Sequence, residues 1–278
     1  MNQPYSDLDP DNYDALPQTV VAMSRNYAQG HDSGVHQHRQ AQLVYACNGV
    51  MRVETAQGNW VLPPQRALWV PPQTPHRVMI ASDAEMRTIY VEPAATPGLP
   101  ARCMVLEVSP LLRELILALT ALPIRQDEGG RASLIATLII AELHELPTAP
   151  LHLPMPHDAR LTRLCDYVLG RLDGEETLEQ LADLAGASSR TLARRFRSET
   201  GLSFREWRQQ ARLIRALELL AQNEPLKRIA ERLGYASQSA FSAMFHRTLG
   251  VEPSHYFAAM PVRPLGEAER HAGLQRRA

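Results

Sequence analysis

Cysteine is scarce in this chain, with only Cys47, Cys103 and Cys165 in 278 residues. They are widely spaced and form no CxxC pair, which argues against a disulfide framework or a zinc finger and favours a reducing compartment. No apolar stretch approaches the ~18 residues that a membrane-spanning helix needs. The opening MNQPYSDLDPDNYDALP has neither the basic nor the apolar region of an export signal. A cytoplasmic protein without a membrane partner is therefore expected. Lysine occurs once, at Lys227, so nearly all the positive charge is arginine.

The net charge of −1 conceals two unlike halves. Residues 1–159 hold 10 Arg and Lys against 16 Asp and Glu, whereas residues 160–278 hold 19 against 14. A basic part suits a polyanion because arginine displaces counterions from phosphate, while the acidic part discourages DNA from wrapping the rest. The length allows two domains, each with its own core.

One pattern is written twice near the C-terminus. Leu178 to Gly201 reads LEQLADLAGASSRTLARRFRSETG, and Leu226 to Gly250 reads LKRIAERLGYASQSAFSAMFHRTLG. Each copy has Gly eight residues after its opening Leu, at Gly186 and Gly234, and each ends Phe-x-x-x-x-Gly. Two short helices joined by a tight turn fit this pattern, with the Gly where the first helix stops. Thr177 with Gln180 forms a capping box before the first helix, and Ser188 or Ser189 caps the second.

In that second helix Leu192 and Phe196 share one face, leaving Arg190, Arg194 and Arg197 on a face able to enter a major groove. Arg190 and Arg194 are the candidate guanine readers, since Arg bonds O6 and N7 bidentately. Ser189 and Arg197 flank them, and Ala193 offers only a methyl contact. The equivalent helix of the second copy exposes Gln238, Ser239 and Ser242, with His246 and Arg247 nearer its end. Gln reads adenine, and the short hydroxyls suit phosphate. Between the copies, Ser203 to Gln222 opens with a capping box, Ser203 with Glu206, and carries Phe204, Trp207, Ala211, Ile214 and Leu217 on one stripe. This is one amphipathic helix of roughly five turns, on the order of 30 Å. A rod of that length holds two recognition helices about one duplex turn, ~34 Å, apart.

These features resemble the AraC/XylS family of transcriptional regulators. The match is carried by Leu181-Ala182, Gly186, Ser188, Leu192, Phe196, Gly201, Trp207, Arg212, Ala216, Leu220, Ile229-Ala230, Gly234-Tyr235, Ser237, Phe241, Phe245, Gly250, Pro253 and Tyr256. The resemblance implies double-stranded DNA as a partner, RNA polymerase as a second, and activation or repression as the outcome.

The first hundred residues read as β. Ala41 to Ala46, Met51 to Thr55, Ala67 to Val70, Arg77 to Ile80 and Arg87 to Val91 are short apolar runs punctuated mostly by Gly, Pro, Asn or Asp, which suggests a sandwich or barrel. Within them lie His36-Gln37-His38, Gln42 and, beyond Pro71-Pro72-Gln73-Thr74-Pro75, His76. On a strand, residues 36, 38 and 42 share a face and can converge with His76. The spacing Gly30-x5-His36-x-His38-x3-Gln42-x6-Gly49 resembles the cupin pattern, departing from it at Gln42, where Glu is usual, and at Gln73, where Gly is usual. It implies a cupin-like jelly-roll barrel acting as a sensor.

Two uses of the cluster stay open. His36, His38, Gln42 and His76 line an effector pocket, or His36, His38 and His76 hold a divalent metal; the regulator itself requires no cofactor. From Ser109-Pro110 the period becomes helical, through Leu111, Leu115, Leu119 and Leu122. A second helix over about Ala132 to Leu146 carries Leu134, Ile135, Leu138, Ile139, Ile140 and Leu143 around most of its circumference. Such a helix needs cover on several sides, favouring a homodimer. LPTAPLHLPMPHD, with four prolines, reads as a stiff linker.

The expected architecture is α+β in two domains. A tail over 1–20 precedes a cupin-like effector-binding barrel over 21–100, a helical dimerisation segment over 101–146 and a linker over 147–158. An all-α double helix-turn-helix domain over 159–260 and a tail over 261–278 complete it. A smaller subgroup resemblance rests on Trp60 to Pro64, Leu151 to Pro154 and Arg190 to Arg194, together with His36, His38, Gln42 and Leu43. It points to regulators of nitroimidazole-type drug efflux transporters. The expected function is a DNA-binding regulator, not an enzyme, that responds to a small molecule. The alternatives are a cupin metalloenzyme with a helical partner-binding tail and a structural dimer module with no DNA role.

Overall fold

A computed structural model describes residues 19–122, 130–149, 151–182 and 186–257. The expected tail over 1–20, apart from Thr19 and Val20, and that over 261–278 lie outside these ranges, as do residues 123–129 and 183–185.

The N-terminal half contains β1 (Val20–Tyr27), β2 (Ala41–Asn48), β3 (Met51–Thr55), β4 (Gly58–Leu62), β5 (Arg66–Val70), β6 (His76–Ile80), β7 (Ala84–Val91) and β8 (Met104–Glu107). They form a five-stranded sheet of order β1-β7-β2-β5-β8 and, with β9 (His152–Pro154), a four-stranded sheet of order β6-β3-β4-β9. The expected closed cupin-like jelly-roll barrel is therefore wrong: these are two open sheets, with β1 and β8 ending one and β6 and β9 ending the other. Closure needs strand tilt and stagger to agree around a full ring. Among the described residues β1 pairs with no strand but β7, β8 with no strand but β5, and β6 with no strand but β3, single bridges from Asp32 and His36 to β6 and from Thr148 to β8 aside.

The side-chain period of two divides the five-stranded sheet between two cores. Val44, Ala46, Leu68, Val70 and Tyr90 face inward with Val53, Trp60 and Leu62 of the four-stranded sheet. Their neighbours Leu43, Tyr45, Trp69 and Ile89 face outward onto α1 (Pro110–Thr120) and α2 (Arg131–Glu145). Ser109 caps α1, its side chain accepting from the Leu112 amide at 3.0 Å. On α2, Ile135, Ile139 and Leu143 are buried, but Leu134 and Leu138 are 67% and 49% exposed.

The C-terminal half contains α3 (Ala159–Leu169), α4 (Ser189–Thr200), α5 (Phe204–Ala221), α6 (Leu226–Arg232) and α7 (Gln238–Leu249). Local sequence accounts for their ends. Asp158 caps α3, Ser188 caps α4, and Ser203 with Glu206 completes a capping box on α5. Gly201 and Gly250 close α4 and α7 at φ 77° and 76°, a conformation open to Gly at little cost. Each repeat has its own aromatic centre: Phe196, Phe204 and Trp207 in the first, Phe241, Phe245 and Tyr256 in the second.

The segment read as a linker contributes β9, and α5 packs against it. Trp207 Nε1 donates to the Pro154 carbonyl at 2.7 Å, and Gln222 Nε2 donates to the Ala81 carbonyl at 2.9 Å. Arg52 on β3 donates twice to Glu218 on α5, whose other oxygen accepts from Arg215 at 2.6 Å. The rod between the repeats is thus fastened to the four-stranded sheet.

Candidate functional site

The first repeat is built to present one helix. Thr177 and Gln180 cap each other reciprocally, with the Thr177 amide donating to Gln180 Oε1 at 2.7 Å. Gly186 supplies the turn at φ 60°. Burial of Leu192 and Phe196 rotates Arg190, Ala193, Arg194 and Arg197 outward, while Ser189 is half-buried. Among the described residues Arg190 and Arg194 make no ion pair, leaving both guanidinium groups available to an anion. Arg195 differs although it too is exposed: it pairs with Asp158 at 3.0 Å and Glu199 at 3.1 Å, tying α4 to the start of α3.

The second repeat places Gln238, Ser239, His246 and Arg247 on the surface of α7 and leaves Ser242 half-buried. Its turn Gly234 has φ 70° and sits against the Asp173 carbonyl and the Arg212 guanidinium. Arg212 donates to the carbonyls of Leu172 at 2.8 Å and Gly174 at 3.0 Å, and lies over the Tyr235 ring at 5.5 Å. One arginine of α5 therefore touches the loop before the first repeat and the turn of the second, fixing their mutual orientation. Sequence reasoning gave Arg212 no such role, although Arg212 lies on the connecting helix and is among the residues that carry the family match. Aligning the repeats also places Ala243, exposed, at the position of Arg194, so the exposed faces of α4 and α7 are unlike in charge.

The histidine cluster forms, though not as one strand. Of His36, His38 and Gln42, only Gln42 lies on β2. His36 instead exchanges backbone hydrogen bonds with His76, at 2.9 and 2.8 Å, and the Gln73 amide donates to the His38 carbonyl at 2.8 Å. This pairing brings the three rings to centroid separations of 4.3 to 5.4 Å. Each histidine can direct one ring nitrogen into a group whose members lie within 4.8 Å of one another. The cluster can therefore coordinate a divalent metal.

His38 and His76 are buried, and His36 is half-buried. Burial pushes the imidazoles of His38 and His76 down to about 4, so both are neutral at pH 7. Nε2 of each has no hydrogen-bond partner among the described residues, a condition that costs about 1–3 kcal/mol per buried group if nothing fills it. Gln42 Nε2 donates to the Tyr90 hydroxyl at 3.4 Å, and the Tyr90 ring stands edge-on to His38 at 5.0 Å.

A family model described as an AraC-like ligand binding domain matches residues 19–144, and one described as a helix-turn-helix domain matches residues 181–259. The HTH-type transcriptional regulator NimR of Escherichia coli is 36% identical over 228 residues, 82% of this chain and 83% of that protein. The chain belongs to the AraC/XylS family of transcriptional regulators. The arabinose operon regulatory protein of Escherichia coli is 29% identical over 139 residues, 48% of this chain and 47% of that protein. A crystal structure of the DNA-binding domain of AdpA with a target DNA matches at 35% identity, TM-score 0.34, over 37% of this chain and 96% of that one.

This AraC/XylS regulator is accordingly a DNA-binding protein with a small-molecule-binding N-terminal part, and not an enzyme. The metalloenzyme alternative gives way to that assignment. Among the described residues no helix is long and apolar enough to cross a membrane.

Proposed function

We propose that this regulator reads DNA through α4 and α7 and that a small effector bound in the N-terminal half changes the outcome of that reading. The observation that carries the proposal is the pairing of two capped reading helices with one 18-residue connector, α5, about 27 Å long at the usual rise. That length suits two successive major-groove segments on one DNA face. Arg190 and Arg194 read bases from α4, with Ser189, Ala193 and Arg197 beside them. Gln238 reads from α7, with Ser239, Ser242, His246 and Arg247 at bases or phosphates.

Residues 21–100 with 101–146 then form the sensory and dimerising part, 147–158 the connection, and 159–260 the reader. His36, His38, Gln42 and His76 contribute to the effector site. The exposed Leu134 and Leu138 of α2, with Leu111 of α1, form the homodimer face; burying a leucine fully is worth about 1.5–3 kcal/mol. The subgroup resemblance supports a neighbouring efflux-transporter operon as the target and RNA polymerase as the partner at its promoter.

Arg194→Ala tests the reader. It should weaken binding to a cognate site by ~1 to 3 kcal/mol at fixed salt. Unchanged affinity from a variant with wild-type circular dichroism would remove Arg194 from the reading set. A promoter fusion of the neighbouring transporter that ignores deletion of the regulator would remove that target.

A further inference from the structure

We infer that His36, His38 and His76 form a mononuclear site for a late first-row divalent cation, with Zn2+ and Co2+ as the reference ions. The inference deepens the proposed sensory role by naming the ligand class, and it rests on that reading for its meaning but not for its test.

Three geometric observations carry it. First, the three imidazoles converge from two separate segments, His36 and His38 before β2 and His76 at the start of β6, with one ring nitrogen of each within 4.8 Å of the others. Second, the far nitrogens of two of the three are already held. His36 Nδ1 lies 3.0 Å from the Gly34 carbonyl, and His76 Nδ1 lies 2.9 Å from the Thr74 carbonyl. A carbonyl only accepts, so each Nδ1 carries the proton, and in a neutral ring Nε2 then carries the lone pair. Fixing the outer N–H on a backbone carbonyl is how proteins orient a metal-ligating imidazole. Third, Nε2 of His38 and of His76 is buried with no partner among the described residues, although those side chains are 6% and 1% exposed. A protected, unpartnered lone pair on His76 Nε2 beside two further imidazoles is unfavourable alone and well matched to a cation.

The donor set also selects the ion. Nitrogen ligands suit Zn2+, Co2+ and Ni2+, whereas Mg2+ and Ca2+ demand oxygen. Three imidazoles carry no charge, and the nearby Gln42 adds none, so the bound ion keeps its full charge of two. Three protein ligands leave open coordination positions. A small effector with an anionic or lone-pair donor is then the natural occupant of those positions.

The test uses the untagged full-length chain, stripped with a chelator and titrated with Co2+. One equivalent per chain should bind, with visible ligand-field absorption of a nitrogen-rich site, and Zn2+ should displace it. His36→Ala, at the half-exposed position, should weaken Co2+ binding at least about 10-fold, as should His38→Asn, with circular dichroism showing both folded. Binding of DNA by the metal-free chain is measured separately, so loss of the metal site and loss of the regulator reading give different results. No uptake by folded wild-type protein, or equal uptake by wild type and both histidine variants, would overturn the inference.

Discussion

Replacing Arg52 by alanine removes the ion pair that joins the sheet half of the molecule to the DNA-reading half. Arg52 donates through Nε at 2.9 Å and through Nη2 to one oxygen of Glu218, while Arg215 holds the other oxygen. The Glu218 carboxylate is 1% exposed and the Arg52 side chain 35%. Two limits bracket the cost. An exposed pair is worth about 0–1 kcal/mol, and breaking a fully buried pair costs about 3–5 kcal/mol. Arg215 still neutralises Glu218 after the change, and Arg52 is partly hydrated before it, so the value lies between, near 2 kcal/mol. That is a shift of roughly 30-fold in the equilibrium between docked and undocked α5. Hydrogen exchange of the α5 amides should accelerate, and a double-mutant cycle with Glu218→Gln should give a coupling of at least ~1 kcal/mol. Unchanged exchange in α5 together with a coupling below ~0.5 kcal/mol would mean that the Arg52 to Glu218 contact is incidental to docking.

The two turn glycines should respond unequally to alanine. At Gly186 a Cβ meets nothing within 4 Å among the described residues and the φ of 60° resists it, whereas at Gly234 it lies 2.6 Å from the Asp173 carbonyl oxygen as well. Gly186→Ala should therefore cost about 1 kcal/mol and Gly234→Ala clearly more, as read from urea midpoints; equal losses would contradict this. Glu199 accepts the amides of Asp158 and His157 and the Arg195 guanidinium, which hold its carboxyl below the usual 4.5. A depressed folded value contributes stability that is complete above the unfolded value and lost as pH falls through the folded one. Wild type should lose stability below about pH 4.5 more steeply than Glu199→Gln, and parallel pH profiles would count against the network. Leu134→Glu should shift a dimer toward monomer in sedimentation while leaving thermal stability nearly unchanged; an unaltered mass at equal concentration would remove α2 from the interface.

What the sequence made legible is mostly what short segments decide. The capping boxes at Thr177 and Ser203, a serine cap at Ser188 or Ser189 and the helix stops at Gly186 and Gly234 depend on residues within a turn or two of each other, and were readable to that extent. The strands at Ala41, Met51, Ala67, Arg77 and Arg87 were readable for the same reason. Sheet closure was not, because punctuation reveals strands but not their registers, and the edges β1 and β9 come from distant parts of the chain. The histidines were grouped correctly on the wrong premise: a backbone pairing of His36 with His76, not a shared strand, brings them together. Charge alone could not separate Arg195, engaged with Asp158 and Glu199, from Arg194 one residue earlier, which makes no ion pair among the described residues. The Arg52 to Glu218 contact spans 166 residues and left no local mark.

The central claim is sequence-specific reading by the paired helices. It is tested most directly by affinity selection of genomic DNA with the wild-type chain and with the Arg190→Ala, Arg194→Ala double variant. A compact motif should be enriched by wild type and disappear in the folded variant. A folded wild-type chain that enriches nothing, or a motif recovered equally by both proteins, would contradict it.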